Sequence, residues 1–185
     1  RIDYSIMLKA QDILILIRLL LAQKRGEAGG YQSLSVWTGV SLSECHAAVG
    51  RLARAGLVQN DFAGSSAGFS WVVSASLARE FLEHALKFIF PLEVGAEQRG
   101  ILTGTQVPGV NEKPAGVIDS EKWVWPSAVG ETRGMAITPL YRSVPKAALQ
   151  DSDLHQALAA LDLVRSSQAR LRRLGLDWLQ TRLLR

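Results

Sequence analysis

The sequence predicts a mainly α-helical fold with a small two-stranded β-hairpin, followed by a helical C-terminal extension. Apolar residues recur at helical spacing over five long stretches, and two short strand-like runs lie between the third and fourth helices. Hydrophobic residues make up 48% of the chain and charged residues 21%, which excludes a disordered protein. The formal net charge of +4 favours a polyanionic partner without proving one.

The first helix is predicted from Lys9 to Lys24. Its apolar residues follow the i, i+3, i+4 rule, and further apolar residues make it hydrophobic on nearly every side, which is expected in the centre of a domain or in a dimer interface. The run from Ile13 to Ala22 is shorter than the roughly 20 residues of a membrane span and contains Arg18. Since a single cysteine also forms no internal disulfide, we expect a cytoplasmic protein without a membrane segment.

The second and third helices are predicted at Tyr31–Trp37 and at about Leu42–Ala55. Gly39 lies in the turn between them, Ser41 is a good N-cap, and Glu44 three residues later completes a capping box. Four residues of the third helix are expected to face inward: Cys45, Ala48, Val49 and Leu52.

The runs "LVQNDF" and "FSWVV", joined by "AGSSAG", predict a hairpin with a small tip. A fourth helix is predicted from Leu77 to Phe90 and ends before Pro91. Its expected buried stripe consists of Leu77, Phe81, Ala85, Phe88 and Ile89.

Residues 91–150 are rich in proline and glycine and too apolar for a free linker, so they form either a packed subdomain or an arm around the first domain. Within them "RGILTGTQV" and "RGMAITPL" echo each other and predict two paired strands, each opened by Arg-Gly. Helices follow at Asp151–Arg165, with Asp151 or Ser152 as the cap, and at about Ser167–Leu184, where Gly175 weakens the middle. The predicted organisation is therefore 1–90, 91–150 and 151–185, the last range serving dimerisation.

Helix, helix, turn, helix and hairpin is the order of a winged helix-turn-helix domain. The segment "YQSLSVWTGVSLSECHAAVGRLARAGLV" resembles that domain, and from Leu8 to Val73 the chain looks most like MarR-type bacterial regulators. With "HALKFIFP", "RGILT" and "RGMAITPLYRSVPKAAL" it also resembles a group of bacterial winged-helix proteins with a shared C-terminal extension, usually labelled transcriptional regulators or toxin–antitoxin-associated proteins. The resemblance implies a homodimeric regulator, a repressor by expectation, that binds double-stranded DNA with the third helix in the major groove.

Transferred to this sequence, the resemblance places the DNA contacts on or near the outward side of the third helix, at Ser41, Ser43, Glu44, His46, Ala47, Arg51 and Arg54. The serines suit phosphates or bases, His46 can donate to a purine N7, and the two arginines suit phosphates. Glu44 either accepts from cytosine N4 or only caps the helix. Ala47 and Gly50 are small, and the wing tip "GSSAG" has no basic residue, so we expect modest affinity that needs a second copy or a partner.

A protein-interaction module, such as an antitoxin or adaptor, is the alternative. Trp123 and Trp125 point the same way on an extended segment, where they either cover the core of the extension or anchor a partner protein or small ligand. Arg99 and Arg133 nearby could hold an acidic partner or lie in solvent. We expect no enzyme, metal or cofactor, because the sequence has no P-loop or GxSxG motif and its three histidines lie in separate helices: His46, His84 and His155.

Overall fold

The computed structural model describes residues 7–60, 71–111 and 121–185, and in these ranges the chain is mainly helical with a small β component. The predicted class is confirmed at that level. The helices are α1 (Ala10–Arg25), α2 (Tyr31–Thr38), α3 (Leu42–Arg54), α4 (Ala75–His84), α5 (Leu86–Ile89), α6 (Val144–Gln150), α7 (Ser152–Arg165) and α8 (Ala169–Arg182). The strands are β1 (Val58–Asn60), β2 (Trp71–Val73), β3 (Val94–Thr103), β4 (Trp123–Pro126) and β5 (Thr132–Ile137).

The first helix, α1, is the central element of the fold. Every residue from Asp12 to Ala22 is buried, and α2, α3 and α7 pack around it. The helix ends at Gly26, whose φ of 63° is a left-handed conformation that glycine adopts without steric cost. Of the two settings expected for this helix, the centre of the domain is confirmed. A dimer interface along α1 is wrong, because its apolar surface is covered within a single chain.

The strands β1 and β2 form an antiparallel pair in which Val58 lies opposite Val73. The helix predicted from Leu77 to Phe90 is divided at Ala85 into α4 and α5. The predicted stripe is also wrong, because Ala78, Leu82 and Leu86 are the buried residues, whereas Leu77, Phe88 and Ile89 are exposed. This segment carries apolar residues on more than one side, and packing against α7 and α8 selects the side that is buried.

The extension contains three strands that close on one another. Strand β3 pairs antiparallel with both β4 and β5, and β4 also pairs in parallel with β5. The two Arg-Gly runs lie in strands that pair, with Arg99 opposite Arg133, so the prediction is confirmed only in part. Arg-Gly does not open β3, which begins at Val94, and residues 101–103 pair with β4 rather than with the second run. The glycine of each run is required by a close approach of backbones, since a Cβ on Gly100 would lie 2.1 Å from the carbonyl oxygen of Trp125 and one on Gly134 2.4 Å from that of Lys122.

Three helices complete the chain. The short helix α6 was not predicted, whereas α7 begins as expected, with the Asp151 side chain accepting from the N–H groups of Asp153 and Leu154. Helix α8 lies along α7 and crosses it at Gly175, where a Cβ would lie 2.5 Å from the carbonyl oxygen of Ala160. This glycine therefore permits the helix contact rather than merely weakening the helix.

A buried ion pair on α7 fastens the extension to the rest of the fold. Arg165 donates to Asp162 at 2.7 Å and to the carbonyl oxygens of Phe90 and Pro91, where the extension begins. The second carboxylate oxygen of Asp162 accepts from the Thr103 hydroxyl and the Trp125 indole at 2.8 and 2.7 Å. Burial raises the pKa of Asp162, and the Arg165 guanidinium opposes that shift.

A second contact joins the extension to the turn between α2 and α3, where the Ser143 hydroxyl donates to the Thr38 carbonyl oxygen at 2.6 Å. One cluster of buried residues runs from α1 to α8 through residues of the extension. The described part of residues 91–150 is therefore packed against the helices, as both alternatives for this segment require.

Candidate nucleic-acid interface

Local signals in the sequence position α3. Gly39 has a φ of 68° in the turn before it, and the Ser41 hydroxyl accepts from the Glu44 N–H, so the predicted N-cap is confirmed. The four residues expected to face inward are all buried: Cys45, Ala48, Val49 and Leu52. The opposite side of the helix is consequently turned away from the core.

The outward side of α3 carries most of the predicted contact residues. Ser41, Ser43, His46 and Arg54 are exposed, as expected, and Ala47 is half-buried. A single strip along the helix contains four positions, each three or four residues after the one before: Ser43, His46, Gly50 and Arg54. We name this set, Ser43, His46, Ala47, Gly50 and Arg54, the outer strip of α3.

Arg51 does not belong to this strip, and its predicted outward placement is wrong. Its side chain is 5% exposed and binds Asp12 on α1 through Nε and Nη2, at 2.7 and 2.6 Å. Asp12 is completely buried, so its charge requires a cation inside the protein. The pair fixes α3 against α1, and Arg51 is not available to a DNA phosphate.

Glu44 is part of the same polar cluster. Its carboxylate accepts from the Gln11 side chain at 2.9 Å and from Arg51 at 3.5 Å. The hydrogen bond from Gln11 is the main reason why the pKa of Glu44 is lowered, and the nearby charges of Lys9 and Arg51 add to it. Neither predicted alternative describes this carboxylate fully, because its Oε2 accepts from Gln11 of α1 and from Arg51 rather than from the backbone of its own helix.

His46 is held by an aromatic contact that the sequence analysis missed. Its ring stacks on Tyr31 with centroids 3.4 Å apart, and Tyr31 in turn contacts Trp71 with centroids 4.4 Å apart. The three rings come from α3, α2 and β2, so they connect the outer strip of α3 to the first strand residue after the hairpin tip. The tip itself, residues 61–70, lies outside the described residues.

The tryptophans of the extension are buried, which contradicts their proposed role as an anchor on the surface. Trp125 is fully buried and donates to Asp162, and Trp123 is 9% exposed and packs close to Gly104. They cover the core of the extension, which was the other alternative. Arg99 donates to the Gly130 carbonyl oxygen at 2.5 Å, and the exposed Arg133 pairs with Glu97 at 3.0 Å.

The described residues contain no group of three or more His, Cys, Asp or Glu side chains that could hold a metal ion. Cys45 is buried, and burial raises the pKa of its thiol to about 11, which keeps it protonated at neutral pH. Among the described helices, none is both long and apolar enough to cross a membrane. Comparison of the chain with protein-family models, curated proteins and solved structures finds no match.

Proposed function

We propose that residues 10–73 form a winged helix of the MarR-like type and that α3 enters the major groove of double-stranded DNA. The order α1, α2, α3 and then an antiparallel hairpin supports this proposal. We further propose that the protein acts in the cytoplasm as a homodimeric transcriptional regulator, and specifically as a repressor.

The outer strip of α3 is the observation that carries the proposal. It combines exposed hydrogen-bonding side chains at Ser43, His46 and Arg54 with a small residue, Ala47, and a glycine, Gly50, that let the helix approach base edges closely. Ser43 and the serine cap lie at the start of the helix, where free N–H groups favour phosphate. The stacking of His46 on Tyr31 restricts the orientation of its ring and so favours a specific contact.

The positive charge at this surface is small because Asp12 neutralises Arg51. Arg54 is exposed on α3, and Arg142 of the extension is exposed next to Ser143, which contacts the turn before α3. A few phosphate contacts of this kind give weak, salt-dependent binding. Two copies on one DNA would double the contacts, which supports the homodimer in the proposal.

Fluorescence anisotropy with the DNA upstream of the protein's own gene tests the proposal. Arg54→Gln is expected to weaken binding and to make the salt dependence shallower by about one unit of slope for each protomer bound. Arg173→Gln is the matched control, because it removes the same charge from an 81% exposed side chain on α8. Absence of wild-type binding at low salt, or equal effects of the two variants, would refute the proposal.

A protein-docking function of the same face is the second candidate. Val36 on α2 and Leu42 on α3 are exposed apolar side chains, and Leu42 directly precedes Ser43 of the outer strip, which favours contact with a protein. Co-purification with the products of neighbouring genes tests this candidate. Protein docking is supported if Leu42→Ser abolishes co-purification and DNA binding fails its own test. DNA binding fails if the wild type does not bind DNA, or if Arg54→Gln binds it as the wild type does.

A further inference from the structure

A cavity of about 420 Å³ lies between α1, α2 and the start of α7, on a different side of α1 from the contact with Arg51. Its walls include Arg18 and Arg25 from α1, Trp37 from α2, Glu27, and Asp151 at the start of α7. A volume of this order is within the range of small-molecule sites in proteins, which run from about 300 to 1,000 Å³.

Arg18 is the unusual residue of this cavity. Its side chain is 3% exposed, its guanidinium lies 3.8 Å from the centre of the Trp37 ring, and its Nη2 donates to Glu27 at 2.5 Å. Its Nε and Nη1 are buried, and no described residue accepts a hydrogen bond from either. A buried charged donor without an acceptor is costly, so it calls for an explanation.

The other buried arginines of this fold differ from Arg18 in this respect. Arg165 uses all three side-chain nitrogens, which donate to Asp162 and to backbone carbonyl oxygens. Arg51 binds Asp12 through two parallel hydrogen bonds. Among the described residues, the fold thus supplies acceptors for two buried guanidinium groups and leaves the third, at a cavity, incompletely bound. The acceptor that is lacking at Arg18 is therefore expected to come from a bound molecule.

The charges around the cavity indicate what kind of molecule fits. Arg25 is bound by Asp151 at 2.8 Å and by Asp153 at 2.5 Å, and Glu27 pairs with both arginines. The walls therefore carry both signs in equal number, with Arg18 and Arg25 against Glu27 and Asp151. A molecule with a strong net negative charge would be repelled by the two carboxylates, whereas one that carries both signs meets a partner for each.

We propose that this cavity binds a small zwitterion of the α-amino-acid type. Its carboxylate accepts hydrogen bonds from Arg18, and its ammonium group faces Glu27 and Asp151. The carboxylate thereby completes the hydrogen bonding of the buried guanidinium. Because the walls come from α1, α2 and α7, the bound molecule would contact both the N-terminal helices and the C-terminal segment. Binding to this cavity does not depend on whether α3 contacts DNA.

Thermal shift and calorimetry with the full chain test this inference, with the standard α-amino acids as probes at millimolar concentration. At least one amino acid is expected to raise the melting temperature saturably. Its α-amide, which lacks the carboxylate, and the corresponding amine are each expected to bind about tenfold more weakly or worse. Failure of every amino acid to bind, or equal binding of the acid and its amide, would overturn the inference.

Two variants and a control connect the binding to the cavity. Arg18→Met is expected to abolish binding, because it removes the guanidinium that donates to the carboxylate. Glu27→Gln, at a 28% exposed side chain, is expected to weaken binding by about tenfold through loss of the charge that faces the ammonium group. Arg133→Met, at a 70% exposed side chain, should leave binding unchanged. Undiminished binding by either cavity variant would contradict the inference, and the Glu27→Gln result decides it if Arg18→Met does not fold.

Discussion

Replacing Arg51 by methionine tests whether this residue belongs to the protein's interior rather than to its DNA-binding surface. Methionine retains most of the aliphatic volume and removes the hydrogen bonds to Asp12 at 2.7 and 2.6 Å. Asp12, which is completely buried, would keep only the hydrogen bond from the Lys9 backbone N–H at 2.8 Å. The buried carboxylate would then have no cation to balance its charge.

The expected loss in the free energy of unfolding follows from this arrangement. Removing one partner of a buried ion pair costs about 3–5 kcal/mol, and the retained N–H of Lys9 places Arg51→Met near the lower limit, at about 3 kcal/mol. Arg173→Met is the control, since it breaks an ion pair whose two side chains, Arg173 and Asp177, are 81% and 58% exposed. Such an exposed pair contributes less than about 1 kcal/mol.

Urea unfolding followed by circular dichroism, with linear extrapolation, measures both variants. The double variant Asp12→Leu/Arg51→Met is expected to recover most of the loss, because a buried ion pair is often replaceable by apolar side chains of similar volume. The double variant should also bind DNA as the wild type does, if the wild type binds. A loss below about 1 kcal/mol in Arg51→Met would refute the structural role of this residue.

Two further changes test the helix contacts around α7. Gly175→Ala should lower the free energy of unfolding by about 1–3 kcal/mol, although alanine has the better helix propensity. The reason is that its Cβ would lie 2.5 Å from the Ala160 carbonyl oxygen. A rise in melting temperature would contradict this contact. Hydrogen bonding to Arg25 lowers the pKa of Asp151 to about 2 from an ordinary value of 3.8. Because the folded-state pKa is the lower one, the pair stabilises the fold fully above the ordinary value and is lost as the pH falls through the folded value. The urea midpoint of the wild type should therefore fall more steeply over that acid range than that of Asp151→Asn, and parallel curves would exclude the pair as a cause.

Local signals were sufficient for the elements whose ends are marked by particular residues. The turn glycine at position 39, the Ser41 cap and the Asp151 cap act within a few residues of themselves, so the starts of α3 and α7 were predictable. The two Arg-Gly runs were recognisable as strands because each repeats the same apolar pattern. Helix α6, with only seven residues and a proline in its first turn, is too short to show a helical period.

The candidate interface was predictable only where side-chain type and helical spacing agree. Ser43, His46 and Arg54 follow from the spacing of the inward residues on α3. Arg51 lies at the edge of that stripe, seven residues after Glu44, where periodicity does not distinguish a solvated arginine from a buried one. Asp12, a carboxylate inside the most apolar helix, was the one signal that could have indicated a buried cation.

The sequence by itself determined the long helices α1, α3, α7 and α8, the caps of α3 and α7, and which side of α3 is apolar. These properties depend on residues within one or two turns of each other. The tertiary structure decided which charged residues are buried and with what partner. Arg51 and Asp12 are 39 residues apart in the chain, and the cavity beside Arg18 is lined by residues of α2 and α7 as well as α1. The free energy of a buried charge depends on every group around it, and those groups come together only when the whole chain has folded.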